Sequence, residues 1–124
     1  MYSIAFRPEL NLLDIAWTGL MTEAAARAYV EEGRARFRQS GFTAGYRFRL
    51  DLSPVHVQPP ASVESIMTGL SDIPRASRIA VVTTSTITRL QIRRLLPRPY
   101  LSFFDTPEAA LTWLVGSPAA EIAA

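Results

Sequence analysis

Four polar residues stand where the sequence predicts that a helix starts directly after a strand: Thr84, Ser85, Thr86 and Arg89. The preceding stretch, 78–84, contains a short apolar run rich in β-branched residues, which indicates a strand covered on both faces in a parallel sheet. Free N–H groups and the helix dipole attract anions at such a helix start, and open α/β sheets bind ligands at this edge. These residues are therefore candidates for an anion-binding site. The alternative is that the hydroxyl groups only cap the helix.

The same predicted helix, 85–96, carries three arginines and is apolar on more than one side. Arg89 and Arg93 are four residues apart, so they share a face and repel each other unless an anion or solvent lies between them. A helix with several apolar sides is either buried by its own domain or presents a surface to a partner. We interpret Arg89, Arg93, Arg94 and Leu96 as candidates for a partner surface, such as a homodimer interface. The alternative is a solvated arginine face.

Residues for catalysis or metal binding are sparse. Asp51 ends a predicted strand, and His56, the one histidine, lies in a proline-rich loop. A small hydrolase or transferase using this pair requires the two side chains to lie within hydrogen-bond reach. Cysteine is absent, which excludes disulfides, thiolate metal sites and a cysteine nucleophile. No metal-ligand spacing is present, so we predict no catalytic residue, no metal and no cofactor.

Composition restricts the class of protein. The 124 residues are enough for one domain, and 48% are hydrophobic and 19% charged, as is ordinary for a globular protein. All basic residues are arginine, and the net charge of +2 is too small to indicate nucleic-acid binding. No secretion signal and no apolar window of about 18 residues is visible. The expectation is a cytoplasmic protein without a membrane span.

Hydrophobic periodicity predicts the order β-β-α-β-α-β-α-β-α. This order indicates an α/β fold with a mostly parallel five-stranded mixed sheet, in which an opening hairpin supplies the antiparallel strand. Residues 1–115 form the predicted domain, and 116–124 are a predicted flexible tail. Gly33 interrupts the apolar stripe of the longest predicted helix, which we interpret as a place where that helix approaches the sheet closely.

The end of the chain carries a resemblance to a known family. A phenylalanine-rich strand runs into an acidic, alanine-rich helix ending in Trp-Leu, over Phe103-Phe104-Asp105-Thr106-Pro107-Glu108-Ala109-Ala110-Leu111-Thr112-Trp113-Leu114. Together with the opening hairpin and the strand end at 50–52, it resembles the SpoIIAA-like or STAS fold. The resemblance is to the stand-alone bacterial STAS-like proteins of unassigned function and covers about residues 2–115.

The resemblance implies a non-catalytic regulatory or binding domain that acts through a protein partner or a small anionic or lipid-like ligand. STAS domains serve as anti-sigma-factor antagonists, as tails of anion transporters and in stress-signalling assemblies. In the antagonists, a partner kinase phosphorylates a serine of an Asp-Ser-Ser-Gly motif after the third strand. Here Pro59 and Pro60 stand near the positions of the Asp and Ser, so the motif is absent. Ser53 and Ser62 are the nearest phosphosite candidates, and neither inherits the role by position.

The sequence thus predicts a non-enzymatic, STAS-like domain with a protein partner or a second copy of itself. Two alternatives stay open: the small hydrolase or transferase using Asp51 and His56, and a structural homodimeric accessory protein. A contact between Asp51 and His56 would favour the first of these alternatives. The mass of the protein in solution would test the second.

Overall fold

The computed structural model describes residues 1–53 and 59–116. Its element order confirms the predicted one, and Pro8–Leu10 forms a single 3-10 turn between the first two strands. Five residues of the predicted proline-rich loop, 54–58, and most of the predicted tail, 117–124, lie outside the described residues. The strands and helices are β1 Tyr2–Arg7, β2 Leu12–Trp17, α1 Glu23–Ser40, β3 Arg47–Asp51, α2 Pro60–Gly69, β4 Arg78–Val82, α3 Thr86–Leu95, β5 Leu101–Phe104 and α4 Pro107–Val115.

The five strands form one sheet in the order β1-β2-β3-β4-β5. β1 and β2 pair antiparallel, because only a short turn joins them, and every later pairing is parallel. This is the mixed sheet that the sequence predicted. The carboxyl ends of β2, β3, β4 and β5 therefore meet at one edge, where the chain enters the connections that lead to the four helices.

Helices cover the two faces of the sheet unequally. The residues of β4 alternate between the faces: Ile79 and Val81 point to the larger core, and Ala80 and Val82 to the smaller one. α1, α2 and α3 pack on the larger core, whereas Ala110 and Leu114 of α4 close the smaller one. β4 is therefore buried on both sides, as its uninterrupted apolar run predicted.

The smaller core leaves part of its sheet face open. Ser3 and Ala5 of β1 point to that face and are exposed, so α4 does not cover this end of the sheet. The arginines of β3 lie on the same face, where Arg49 stands in register with Asp14 of β2. β3 is a central strand, and its alternating arginines fit there because the helices leave that face partly uncovered.

The glycine that allows a close helix contact is Gly69 and not Gly33. A Cβ at Gly33 would meet only Leu70 Cδ2 at 3.9 Å, an ordinary contact with the residue after α2. A Cβ at Gly69 would lie 2.7 Å from Cγ1 of Val30, which is closer than packed side chains allow. The interpretation of Gly33 as the site of close approach to the sheet was wrong, because a Cβ at Gly33 would meet no described residue of the sheet. The tight contact is at Gly69 and joins α2 to α1.

Aromatic rings fill the larger core beneath α1. Tyr29 packs against Tyr2 and Trp17, with ring centroids 5.2 and 5.1 Å apart. Tyr46 lies 5.2 Å from the ring of Phe37 and donates a 2.8 Å hydrogen bond to the carbonyl oxygen of Pro74. Burial raises the pKa of Tyr46 to about 12 and raises the pKa of Tyr29 well above its ordinary value.

These tyrosines make the protein sensitive to alkali. In the unfolded chain a tyrosine loses its proton near its ordinary pKa of 10.0, whereas the buried rings keep theirs in the folded state. The folded state then binds more protons, so the free energy of unfolding should fall as the pH rises above about 10, by up to about 1.4 kcal/mol per pH unit for each tyrosine. Urea titrations at several alkaline pH values measure this slope. The Tyr46→Phe variant should show a shallower slope, and an unchanged slope would contradict the assignment to Tyr46.

Candidate functional site

The start of α3 is built from the end of β4 and a capping serine. The hydroxyl oxygen of Ser85 accepts a 3.2 Å hydrogen bond from the backbone N–H of Thr88. The backbone N–H of Ser85 donates to the hydroxyl oxygen of Thr83 at 3.1 Å. Ser85 is therefore a helix cap, which satisfies one of the free N–H groups that an anion would otherwise use. Thr84 and Thr86 stand beside it with exposed side chains.

Arg89 of α3 contacts residues at the ends of β4 and β5. Its Nε and Nη2 donate to the carbonyl oxygen of Thr83 at 3.1 and 2.8 Å, and Nη2 also donates to Asp105 Oδ1 at 2.8 Å. The guanidinium carbon lies 5.6 Å from the ring centroid of Phe103. The Asp105 carboxylate repels an anion at this point, so the geometry weighs against the candidate anion site. That site, formed by Thr84, Ser85, Thr86 and Arg89, stays a prediction.

One side of α3 faces solvent and carries both apolar and basic groups. Ile87 is 61% exposed and Leu90 is 55% exposed. Arg93 and Arg94 are exposed on the same side of the helix, while Thr88 and Ile92 are buried on the opposite side. We call Ile87, Leu90, Arg93 and Arg94 the α3 outer face. It combines two exposed apolar side chains with two cations.

The predicted partner-surface residues divide between two environments. Arg93 and Arg94 belong to the α3 outer face, whereas Arg89 is half-buried in the hydrogen bonds just described. Leu96 is half-buried against the larger core and is not part of the outer face. Sequence reasoning did not select Ile87 and Leu90. The available signal was the spacing of three from Ile87 to Leu90 and of four from Leu90 to Arg94, because residues three and four apart share a helix face.

The phosphosite candidates occupy different surroundings. Ser53 is exposed, and its N–H and hydroxyl donate to Asp51 Oδ1 at 2.9 and 2.6 Å. Ser62, in the first turn of α2, is only 2% exposed, so a kinase reaches it only if that turn opens. α2 begins at Pro60, with Pro59 in the capping position and no side-chain cap hydrogen bond. The phosphosite role stays a prediction for both serines.

The open face of the sheet holds a shallow hollow of about 170 Å³. Asp51 is half-buried there and accepts the two hydrogen bonds from Ser53. His56, its proposed catalytic partner, lies outside the described residues. In the part of the chain that is described, no three acidic or histidine side chains are placed to hold a metal ion. The hollow is lined by Ser3, Ala5, Asp14, Ala16, Arg49, Asp51 and Pro107.

Arg49 lines this hollow together with two carboxylates, those of Asp14 and Asp51. Its Nε and Nη2 donate to Asp14 Oδ1 and Oδ2 at 2.9 and 2.6 Å, and Nη1 donates to the carbonyl oxygen of Pro107 at 3.0 Å. The hydrogen bond to Asp14 raises the pKa of Arg49 above its ordinary value. Because these contacts direct the guanidinium to other parts of the protein, we interpret Arg49 as a structural residue that joins β2, β3 and α4.

Comparisons with known proteins bear on the fold. No protein-family model and no curated protein sequence matches the chain. Among helices of 1–53 and 59–116, none is long and apolar enough to cross a membrane. A solved structure of the Bacillus cell fate determinant SpoIIAA in its phosphorylated form matches with a TM-score of 0.59 and 13% sequence identity. The match covers 92% of this chain and 99% of SpoIIAA. The chain therefore has the SpoIIAA-like α/β fold that its sequence resembles.

Proposed function

We propose that the chain is a non-catalytic regulatory domain that binds a protein partner through the α3 outer face. The observation that carries this proposal is the exposure of two large apolar side chains, Ile87 and Leu90, one turn apart on the same helix. The buried side of α3 already packs on the larger core through Ile92, so the fold does not need the outer face for its own packing.

Binding through these side chains has a favourable energy. Full burial of a leucine or isoleucine side chain contributes about 1.5–3 kcal/mol, and each of these two side chains still exposes more than half of its surface. Covering both would contribute about 2–3 kcal/mol, enough for the centre of an interface but not for a whole one. The neighbouring arginines would then supply charged contacts at its edge.

The fold supports a regulatory role. SpoIIAA is described as a cell fate determinant and was solved in a phosphorylated form. By analogy of fold, we propose a cytoplasmic regulatory domain that spans residues 1–115, with Ser53 and Ser62 as the candidates for modification. The alternative of a small hydrolase or transferase that uses Asp51 and His56 stays a prediction, because His56 lies outside the described residues.

A matched pair of surface variants tests the proposal. Leu90→Ser should reduce capture of specific proteins from a lysate of the native host by at least about tenfold, which corresponds to about 1.4 kcal/mol. Val115→Ser, which changes a 40% exposed apolar side chain on α4, should leave the same proteins bound. Quantitative mass spectrometry of the captured proteins measures both. Both variants should keep their stability to within about 0.5 kcal/mol, since the substituted side chains are exposed.

An identical set of captured proteins for wild type and Leu90→Ser would contradict the proposal. So would a loss of the same proteins with Val115→Ser, because that result would place the contact on the opposite layer of the domain.

A further inference from the structure

We propose that the partner segment bound by the α3 outer face is acidic, with an apolar side chain that packs on Leu90 between carboxylates that pair with Arg93 and Arg94. This inference rests on the proposed function and specifies the chemistry of the partner. The observation behind it is the distribution of charge around the two exposed apolar residues.

The part of the chain that contains α3 carries no acidic residue. Between Asp72 and Asp105 the sequence has six arginines and neither aspartate nor glutamate. Asp105 is already paired with Arg89 at 2.8 Å. The six arginines are Arg75, Arg78, Arg89, Arg93, Arg94 and Arg98.

Two of these arginines, Arg93 and Arg94, stand beside the apolar pair on α3. Arg93 and Arg94 form no ion pair with any other described residue, in contrast to Arg89. The guanidinium carbon of Arg93 lies 5.2 Å from the ring centroid of Phe103, which is a cation–π contact and leaves the charge of Arg93 without a carboxylate among the described residues. The outer face therefore offers two cations at the edge of an apolar centre, and a partner that covers Leu90 meets this charge.

A second copy of the same chain is a poor occupant of this face. In a two-fold symmetric dimer the same patch meets itself, so packing around Leu90 would place Arg93 and Arg94 of both copies close together. α3 has no acidic residue that could compensate for them. Like charges brought together across an interface oppose association. An acidic segment of a different protein instead gains two charge-assisted contacts at the same position.

We expect the segment to be an amphipathic helix, because one apolar stripe of such a helix contacts both Ile87 and Leu90, which lie about one turn apart on α3. Such a helix would place an apolar residue on Leu90 and carboxylates beside the two arginines. Because the contacts at the rim are ionic and exposed, binding should weaken as the salt concentration rises.

Peptide selection tests this chemistry without knowledge of the natural partner. A phage-displayed library of random peptides about 16 residues long, enough for roughly four helical turns, is selected against the wild-type protein. We expect enrichment of peptides that combine Asp or Glu with large apolar residues. Their affinity should fall at least about tenfold for the double variant Arg93→Glu, Arg94→Glu. The Arg27→Glu variant, which reverses an exposed charge on α1, should bind them as wild type does.

The outcomes separate this inference from the proposed function. Selected peptides that lose affinity with Leu90→Ser but show no acidic enrichment would overturn the acidic partner and leave the α3 outer face as a binding surface. Peptides that bind Leu90→Ser as well as wild type, or a selection that enriches no peptide, would overturn both proposals. Equal loss with Arg27→Glu and with the α3 double variant would also overturn the acidic partner, because it would show a general charge effect.

Discussion

The Asp14→Ala variant is expected to lose about 3 kcal/mol of its free energy of unfolding. Arg49 is only 13% exposed in its side chain and Asp14 only 23%, so the pair is largely removed from water. Removal of the carboxylate leaves a half-buried guanidinium that cannot lose its proton. Its described hydrogen bond to Pro107 would remain, but the compensating negative charge would be gone. Urea titration followed by circular dichroism measures the change.

Two controls isolate the effect of burial. Glu9→Ala removes the carboxylate of an exposed pair, in which Arg7 and Glu9 are 40% and 64% exposed, and should cost less than about 0.5 kcal/mol. The double variant Asp14→Leu, Arg49→Met removes both charges and should come within about 1 kcal/mol of wild type. If Asp14→Ala cost no more than Glu9→Ala, the interpretation of Arg49 as a structural residue would be contradicted.

The Gly69→Ala variant is expected to destabilise the protein by about 1–3 kcal/mol through overpacking. The added methyl group would lie 2.7 Å and 3.0 Å from the two Cγ atoms of Val30. A valine side chain has few alternative rotamers in a helix, so α1 and α2 would have to move apart. That movement would also disturb the 2.9 Å hydrogen bond from Arg34 Nη1 to the carbonyl oxygen of Gly69.

Gly33→Ala is the matched control, because the same substitution in α1 meets only an ordinary contact at 3.9 Å. It should stabilise the protein by about 0.5–1 kcal/mol, since alanine favours a helix more than glycine does. In a Val30→Ala background, Gly69→Ala should cost at least about 1 kcal/mol less than in the wild type. Thermal and urea unfolding of the four variants measure these differences. Equal effects at Gly33 and Gly69 would contradict the packing described.

Short-range patterns predicted most of the fold. The β-branched run of β4 and the capping hydroxyl of Ser85 depend on neighbours a few residues away, and the structure shows both. The tight contact joins Gly69 of α2 to Val30 of α1, 39 positions earlier, so periodicity within one helix could not reveal it. The pairing of Asp14 with Arg49 likewise depends on the register of β2 against β3, which the pattern within either strand alone does not reveal.

For the α3 outer face, too, the sequence predicted part of the arrangement and the packing decided the rest. The sequence indicated that α3 is apolar on more than one side, but not which side the sheet covers. Leu96 and Ile87 are both apolar residues of this region, and only the packing of α3 assigns Leu96 to the core and Ile87 to solvent. Arg89 looked equivalent to Arg93, yet its hydrogen bonds to Thr83 and Asp105 make it a structural residue.

Site-specific photo-crosslinking in the native host tests the central claim most directly. A photoreactive amino acid placed at Ile87 or Leu90 should give discrete crosslinked products with another protein. The same amino acid at the exposed positions Thr112 on α4 or Ala24 on α1 should not give them. Products confined to the two α3 positions would support the α3 outer face as the binding surface. Products of equal yield at all four positions, or at Thr112 and Ala24 alone, would contradict it.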